Sequence, residues 1–332
     1  MKQTHILKSN VYITGMATVA GAKECEGPLG GKFDIELSDD FYGEKTWEKA
    51  ESKMQDEAIK KLLLKSETNA KDIDFLLSGD LQGQCCGTSF GVREFGIPFY
   101  GQYGACSTMA QGLSIGSLLL DGGHGTMAIC GTSSHFASAE RQFRVPNEYG
   151  GSRPPTAQWT VTGSGFAHIS TSMRSNMRIS AVTTGRIVDW GETDANDMGG
   201  AMAPAATDTL YAHFMNTNTS AKDYSLILTG DLGNFGGSIL RDLMEQKGYI
   251  LGDNYLDCGC IIYDESQDVG SGGSGCACSA LVLLAEVLPK MMKGEIKGKV
   301  LFIGTGALLS SISSGQGESI PSIAHLVEIS TV

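Results

Sequence analysis

Residues 70–83 read AKDIDFLLSGDLQG, and residues 221–234 read AKDYSLILTGDLGN, an offset of 151 positions. Three more pairs keep the same order along the chain. Gly104-Ala105-Cys106-Ser107 matches Cys276-Ala277-Cys278-Ser279, and Ile129-Cys130-Gly131-Thr132 matches Phe302-Ile303-Gly304-Thr305. A fainter pair sets Thr14-Gly15 against Thr184-Gly185. An ordered internal match restricts the chain to an architecture that can be built twice from one plan. The expectation is two similar halves, 1–172 and 173–332, related by a pseudo-twofold axis. At 332 residues the chain is long enough to bury a core without disulfide or metal staples.

Each half reads as strand, helix, strand, turn, helix, strand. Trp47, Ala50, Met54, Ala58 and Leu62 form a helical stripe across 46–65. Ile73 to Leu77 is a short apolar run that stops at Ser78-Gly79-Asp80, a buried strand followed by a turn. The spacing predicts a small-faced helix over 106–120, a strand at Met127 to Cys130 and another at Val161 to Ser170. Strands alternating with helices point to α/β layers with buried sheets. The 44 glycines against 8 prolines fit many tight strand–helix turns. Residues 138–158 read as a stretch with no clear element. A loop that long in a compact body is usually functional. Phe143, Tyr149 and the adjacent Trp159 mixed with Arg141, Arg144 and Arg153 suit a lid or pocket wall.

Composition removes several classes. Lys+Arg number 25 against 37 Asp+Glu, a net charge of −12, which argues against a nucleic-acid binder and a basic membrane-surface helix. No apolar run approaches the ~18 residues of a membrane span. No secretory signal is visible, and nine cysteines without a CxxC fit a reduced intracellular compartment. Cys258/Cys260 and Cys276/Cys278 have CxC spacing, which is wrong for zinc knuckles, so no metal is assigned. Cys258 and Cys260 read as part of a strand, Leu256 to Tyr263. No GxGxxG opens a helix after a strand, so a dinucleotide site and its cofactor are unsupported.

The sharpest chemical candidate is Cys106. It opens a helix after an apolar stretch, where the dipole and free N–H groups favour thiolate and build an anion site. The bland reading is a small core residue. His135, shortly past a strand end in Ser133-Ser134-His135, is a plausible cleft group, whereas His168 reads as a core histidine and His124 as exposed. Gly304-Thr305-Gly306 offers backbone N–H groups to an oxyanion or carboxylate. Asp80 and Asp231 place a carboxyl in each repeated turn, suited to a protonated or calcium-chelated acid.

The duplicated halves, the Gly104-to-Thr108 turn and the Gly304-Thr305-Gly306 turn together resemble the thiolase-like superfamily of thiolases and ketoacyl synthases. That resemblance covers nearly the whole chain. It implies a five-layer α/β/α/β/α body of two similar halves, usually dimeric, with the nucleophile at Cys106. It also calls for a condensing histidine within Thr229 to Gly233, where there is none, and an Asn or His near Ser274 or Gly273. Longer motifs resemble one branch, the stage V sporulation AD family of endospore-forming bacteria. They are Gly104 to Thr108, Ser133-Ser134-His135, Gln142-Phe143-Arg144, Glu148-Tyr149-Gly150-Gly151 and Pro154 to Gly163. This second resemblance implies a non-catalytic binder of dipicolinic acid (pyridine-2,6-dicarboxylate), with or without calcium. It would act with membrane proteins of the same sporulation group, in the forespore and peripheral to the spore inner membrane. The candidate binding set is Cys106, His135, Arg144, Gln158, Asp231, Ser274 and Thr305, with a homodimer expected and no catalytic residue, cofactor or nucleic acid. The alternative is an acyl-transferring or condensing enzyme that uses Cys106.

Overall fold

The computed structural model describes residues 2–143 and 153–332. The first half supplies β1 (Thr4–Ala20), α1 (Trp47–Lys65), β2 (Phe75–Gly79), β3 (Phe99–Gly101), α2 (Thr108–Asp121), β4 (Met127–Ser134), α3 (Phe136–Phe143) and β5 (Gly163–Ser170). The second supplies β6 (Met177–Thr183), α4 (Met198–Thr217), β7 (Leu226–Thr229), β8 (Tyr255–Asp257), α5 (Cys276–Val282), β9 (Lys299–Ala307) and β10 (Ser322–Thr331). The strand order is β8-β7-β9-β10-β6-β1-β5-β4-β2-β3, with the short segment Ile35–Glu36 added beside β1. Read outward from the β6–β1 junction, the two sides have the same topology. On each side the outer pairings are parallel, β2 with β3 and β4, and β7 with β8 and β9. The inner pairings are antiparallel.

Period-two alternation loads both faces of these strands. In β4, Ile129 packs outward under α1, while Cys130 points inward. In β9, Leu301 and Ile303 pack outward under α4, while Val300 and Phe302 point inward. Met109, Ala110 and Leu113 of α2 and Ala277, Ala280 and Leu281 of α5 fill the inner core, against strands of both halves. The layers are therefore α1, the first-half strands, the α2/α5 pair, the second-half strands and α4. The sheet is continuous through β1, so it must bend around α2 and α5. Register breaks in β1 between Ile6 and Val11 and between Ile13 and Gly15 supply the irregularity for that bend. This is the thiolase-like α/β/α/β/α fold.

The helix over 46–65 forms with Thr46 as its cap, its hydroxyl accepting from the Lys49 N–H, and with Ala50, Met54, Ala58 and Leu62 buried. Two expectations need correction. Residues 138–143 are not loop; they continue α3, because FASAERQF is made largely of good helix formers and only the segment beyond it is rich in Gly and Pro. Cys258 and Cys260 are not in a strand. The strand stops at Asp257, whose carboxylate accepts from the Gly259 N–H and caps a short helix, Cys258–Ile262.

Leu113 is fully buried between the two halves of the bent sheet, whereas Leu64 on α1 is 74% exposed. Leu113→Ala is expected to lower urea-unfolding stability by about 2–5 kcal/mol. Leu64→Ala should change it by less than about 0.5 kcal/mol.

Candidate functional site

Cys106 stands in a tight 3₁₀ turn, Ala105–Ser107, that leads into α2. Ala105 has φ +48°, a left-handed conformation costing a non-glycine residue about 1–2 kcal/mol. Ala105 and Cys106 form the floor of a cavity of about 160 Å³. Its wall is largely apolar: Leu81, Tyr103, Ala139, Phe143, Met198, Ala307, Leu308 and Leu309, with the hydroxyls of Thr160, Ser274 and Ser310. Among the described residues no lysine or arginine lines it.

Beneath that floor lies a buried carboxyl. Asp231, 1% exposed, accepts hydrogen bonds from Thr305 Oγ1 at 2.7 Å, Ser274 Oγ at 3.1 Å and the Gly275 N–H at 3.0 Å. Gln158 Nε2 donates to the Asp231 carbonyl at 2.7 Å and the Gly273 carbonyl at 2.9 Å, tying the two loops together. Burial pushes the Asp231 carboxyl up to about 7, with Asp257 adding to the rise, although Thr305, Cys106 and Gly275 hydrogen-bond to it. Cys106 is affected in turn. Burial raises its thiol well above the ordinary value, and the charge of Asp231 and the neighbouring Cys276 raise it further. The helix-start position was expected to favour thiolate; a dry site with a carboxyl beneath reverses that expectation. Cys276 packs in the same apolar cluster and donates to the Ala105 carbonyl at 3.0 Å.

Five of the seven candidate residues thus converge. Cys106 and Ser274 line the cavity, and Asp231, Thr305 and Gln158 brace its floor. His135 does not line it. Its Nε2 is 2.8 Å from the Asp40 carbonyl, its Nδ1 accepts from the Ala137 N–H, and burial lowers its pKa, so it is a neutral brace. Arg144 lies outside the described residues. Arg141 pairs with Glu48 and sits over the Trp47 ring. Arg153 pairs with Glu140 at 2.9 Å and donates to the Gln158 carbonyl. Gly304-Thr305-Gly306 was expected as a turn but lies inside β9, paired along its length with β10. Sequence reasoning also missed the apolar wall; Ala307, Leu308 and Leu309 directly follow Gly306, and that adjacency was the available signal.

The other repeated turn holds a separate network. Asp80 accepts from the backbone N–H groups of Gln82 and Thr88, and Glu51 accepts from Gln82 Nε2, Ser133 Oγ and Ser138 Oγ. Burial, with Asp80 nearby, raises Glu51 to about 7. Among the described residues no three His, Cys, Asp or Glu side chains are grouped to hold a metal, and no helix is long and apolar enough to cross a membrane.

The family model for stage V sporulation protein AD matches residues 1–330. The chain belongs to the stage V sporulation protein AD family. The Bacillus subtilis (strain 168) protein of that name is 44% identical over 324 residues, 98% of this chain and 95% of that protein. Among solved structures, Xanthomonas campestris OleA aligns with TM-score 0.63 at 15% identity, covering 98% of this chain and 99% of that one. Another OleA structure, with bound lauric acid and lauroyl-CoA, aligns at TM-score 0.62 and 14% identity, covering 98% and 100%. The 3-oxoacyl-[acyl-carrier-protein] synthase III of Aquifex aeolicus aligns at 0.57 and 12%, covering 96% and 99%. The turn Thr229 to Gly233 holds Asp231 and no histidine, and Ser274 hydrogen-bonds to that carboxyl.

The raised pKa of Asp231 has a consequence for stability. The folded chain keeps this proton to about pH 7, whereas the unfolded chain releases it near the ordinary 3.8. The group therefore costs the fold nothing below that lower value, and the cost grows as pH rises toward 7 and is constant above. Asp231→Asn should gain stability relative to wild type between about pH 4 and pH 7, measured by urea unfolding. A difference that is flat across that window would contradict the assignment.

Proposed function

We propose that the cavity over Cys106 binds dipicolinic acid without covalent chemistry, in support of its uptake into the forespore. The observation that carries this reading is the placement of Asp231. A condensing enzyme needs a group that stabilises its thiolate; here burial first, and the charge of Asp231 second, raise the Cys106 thiol well above its ordinary value. Without an activated nucleophile, the cavity remains a binding site. Its volume supports a small ligand, since about 160 Å³ at roughly 10–15 Å³ per water accommodates about a dozen heavy atoms. The apolar wall suits the flat ring. The hydroxyls of Ser274, Thr160 and Ser310 suit a carboxylate, and Arg144 is the charged donor this reading calls for.

The apolar wall also favours a second reading, an acyl group carried by a transferase of the condensing class. The protonated thiol and the small volume weigh against it. Calorimetry with dipicolinate, with and without calcium, beside a lauroyl-CoA turnover assay separates the two. Dipicolinate should bind and lauroyl-CoA should not turn over. Arg144→Ala should weaken dipicolinate about 10- to 150-fold, the loss of one charge-assisted contact. Cys106→Ala should weaken it far less, and Cys106→Trp should block the cavity by volume. Turnover abolished by Cys106→Ala would overturn this reading.

The uptake role places the protein beside membrane proteins of the same sporulation group, peripheral to the spore inner membrane. A homodimer is part of the same proposal. Among the described residues, strand β3 has one free edge, with Phe99 39% and Tyr100 51% accessible, and unprotected aromatic edges favour pairing. Light scattering should report a dimer that Phe99→Pro, which removes an N–H on the free edge, converts to monomer; a wild-type monomer at micromolar concentration would contradict it.

A further inference from the structure

The hydrogen-bond polarity of the cavity floor restricts what can rest on it. Ser274 stands in the cavity wall, and its one hydroxyl hydrogen is directed at Asp231 Oδ2, 3.1 Å away. The Cys106 thiol, also on the cavity surface, hydrogen-bonds to the same carboxyl. While Asp231 is ionised, both groups give it their only hydrogen and turn lone pairs toward the cavity. A carboxylate resting there would meet acceptors alone, with a second negative charge behind them. Elsewhere in the wall, Ser310 makes no such demand. Its Oγ accepts from the Ile312 and Ser313 N–H groups at 3.3 and 3.5 Å and keeps its own hydrogen for a ligand.

The donors around Asp231 are mostly reversible. Thr305 Oγ1 at 2.7 Å, Ser274 Oγ and the Cys106 thiol can each turn round and accept, and only the Gly275 N–H at 3.0 Å is fixed as a donor. Asp257, the neighbouring carboxyl, is held differently. The backbone N–H groups of Leu232, Gly233 and Gly259 each donate to it at 2.9 Å, beside Thr229 Oγ1 at 2.6 Å. Three fixed donors hold Asp257 as an acceptor, whereas Asp231 can take a proton and reverse its neighbours. Its O–H then donates to Ser274 Oγ, and the Ser274 hydrogen turns to the cavity, where it meets a carboxylate. The other ionisable groups that act with Asp231 are thiols: Cys106 at the start of α2, Cys278 on α5 and Cys258 after β8. Burial pushes all three well above their ordinary value, so they stay neutral. Asp231 itself, raised to about 7, is the group in this cluster that exchanges a proton near neutrality.

We propose that the cavity takes up one proton with each carboxylate ligand seated on its floor, the proton being shared between that carboxylate and Asp231 through Ser274. The inference rests on the dipicolinate reading of the cavity and adds a proton to what is bound. The proton comes from solvent onto Asp231, or enters on the ligand; the bound state is the same.

The test is calorimetry of the full chain with dipicolinate, free of calcium, in phosphate and in Tris, whose heats of ionisation differ. The dependence of the binding heat on the buffer counts the protons taken up. At about pH 8 Asp231 is largely ionised before binding, so uptake should be about 0.9 proton; at about pH 6 it should be about 0.1. Affinity should fall about tenfold between those two pH values, as the competent protonated form becomes scarce. Asp231→Asn, with folding verified by circular dichroism, should take up almost no proton and bind equally at both. No binding by wild type at either pH overturns the dipicolinate reading, and this inference with it. Binding with no proton uptake at about pH 8 leaves that reading in place and overturns this inference alone. So does a folded Asp231→Asn that no longer binds, or uptake that persists in it, which would give the proton to Glu51 or Glu24, the other carboxyls raised to about 7.

Discussion

The site depends on one close approach, between the start of α2 and strand β9. A Cβ at Gly306 would lie 2.4 Å from the Gly104 carbonyl, and one at Gly304 would lie 2.7 Å from Ala110 Cβ. Only bare backbone at these two positions lets a helix of the first half rest on a strand of the second. That contact sets Cys106 above Thr305, and Thr305 above Asp231. Larger residues there would separate the halves and open the floor of the cavity, so the glycine pair is a requirement of the site as much as of the fold.

From that seam the electrostatics follow. Asp231 has hydrogen-bond donors on both oxygens, and among the described residues the charged group that acts on it is another carboxyl, Asp257. The donors favour the ionised form and burial opposes it, and burial wins. A carboxyl poised near neutrality beneath a thiol is the reverse of the arrangement that activates cysteine, in which a cation or imidazole stabilises the thiolate. The residues that set this arrangement lie in a few positions of the second half, Asp231, Ser274 and Thr305.

Much of this was legible in the sequence because duplication carries geometry. Once the Gly-Asp-Leu turns and the Ala-Cys-Ser turns are paired, a pseudo-twofold fold brings them together, and Cys106, Asp231, Ser274, Thr305 and Gln158 do converge. Other positions depended on information the pattern does not hold. His135 follows a strand end, but which way its ring turns depends on the Asp40 carbonyl, 95 positions earlier. Arg141 and Arg153 are long side chains drawn to acids, Glu48 and Glu140, that the pattern does not single out. The CxC pair at Cys258 alternated like a strand, but the Asp257 cap decides for helix. The thiolate expectation at Cys106 rested on local helix geometry and took no account of burial.

The central claim is that Cys106 is held as a neutral thiol by its burial above Asp231. The most direct measurement is a pH titration of the Cys106 side chain, followed by the ¹³Cβ resonance of cysteine-labelled protein and assigned with Cys106→Ser. The account predicts that the wild-type resonance stays at its thiol position beyond the ordinary cysteine value of 9.0, and that Asp231→Asn shifts ionisation to lower pH. A wild-type thiolate signal at neutral pH, or a titration unmoved by Asp231→Asn, would contradict it.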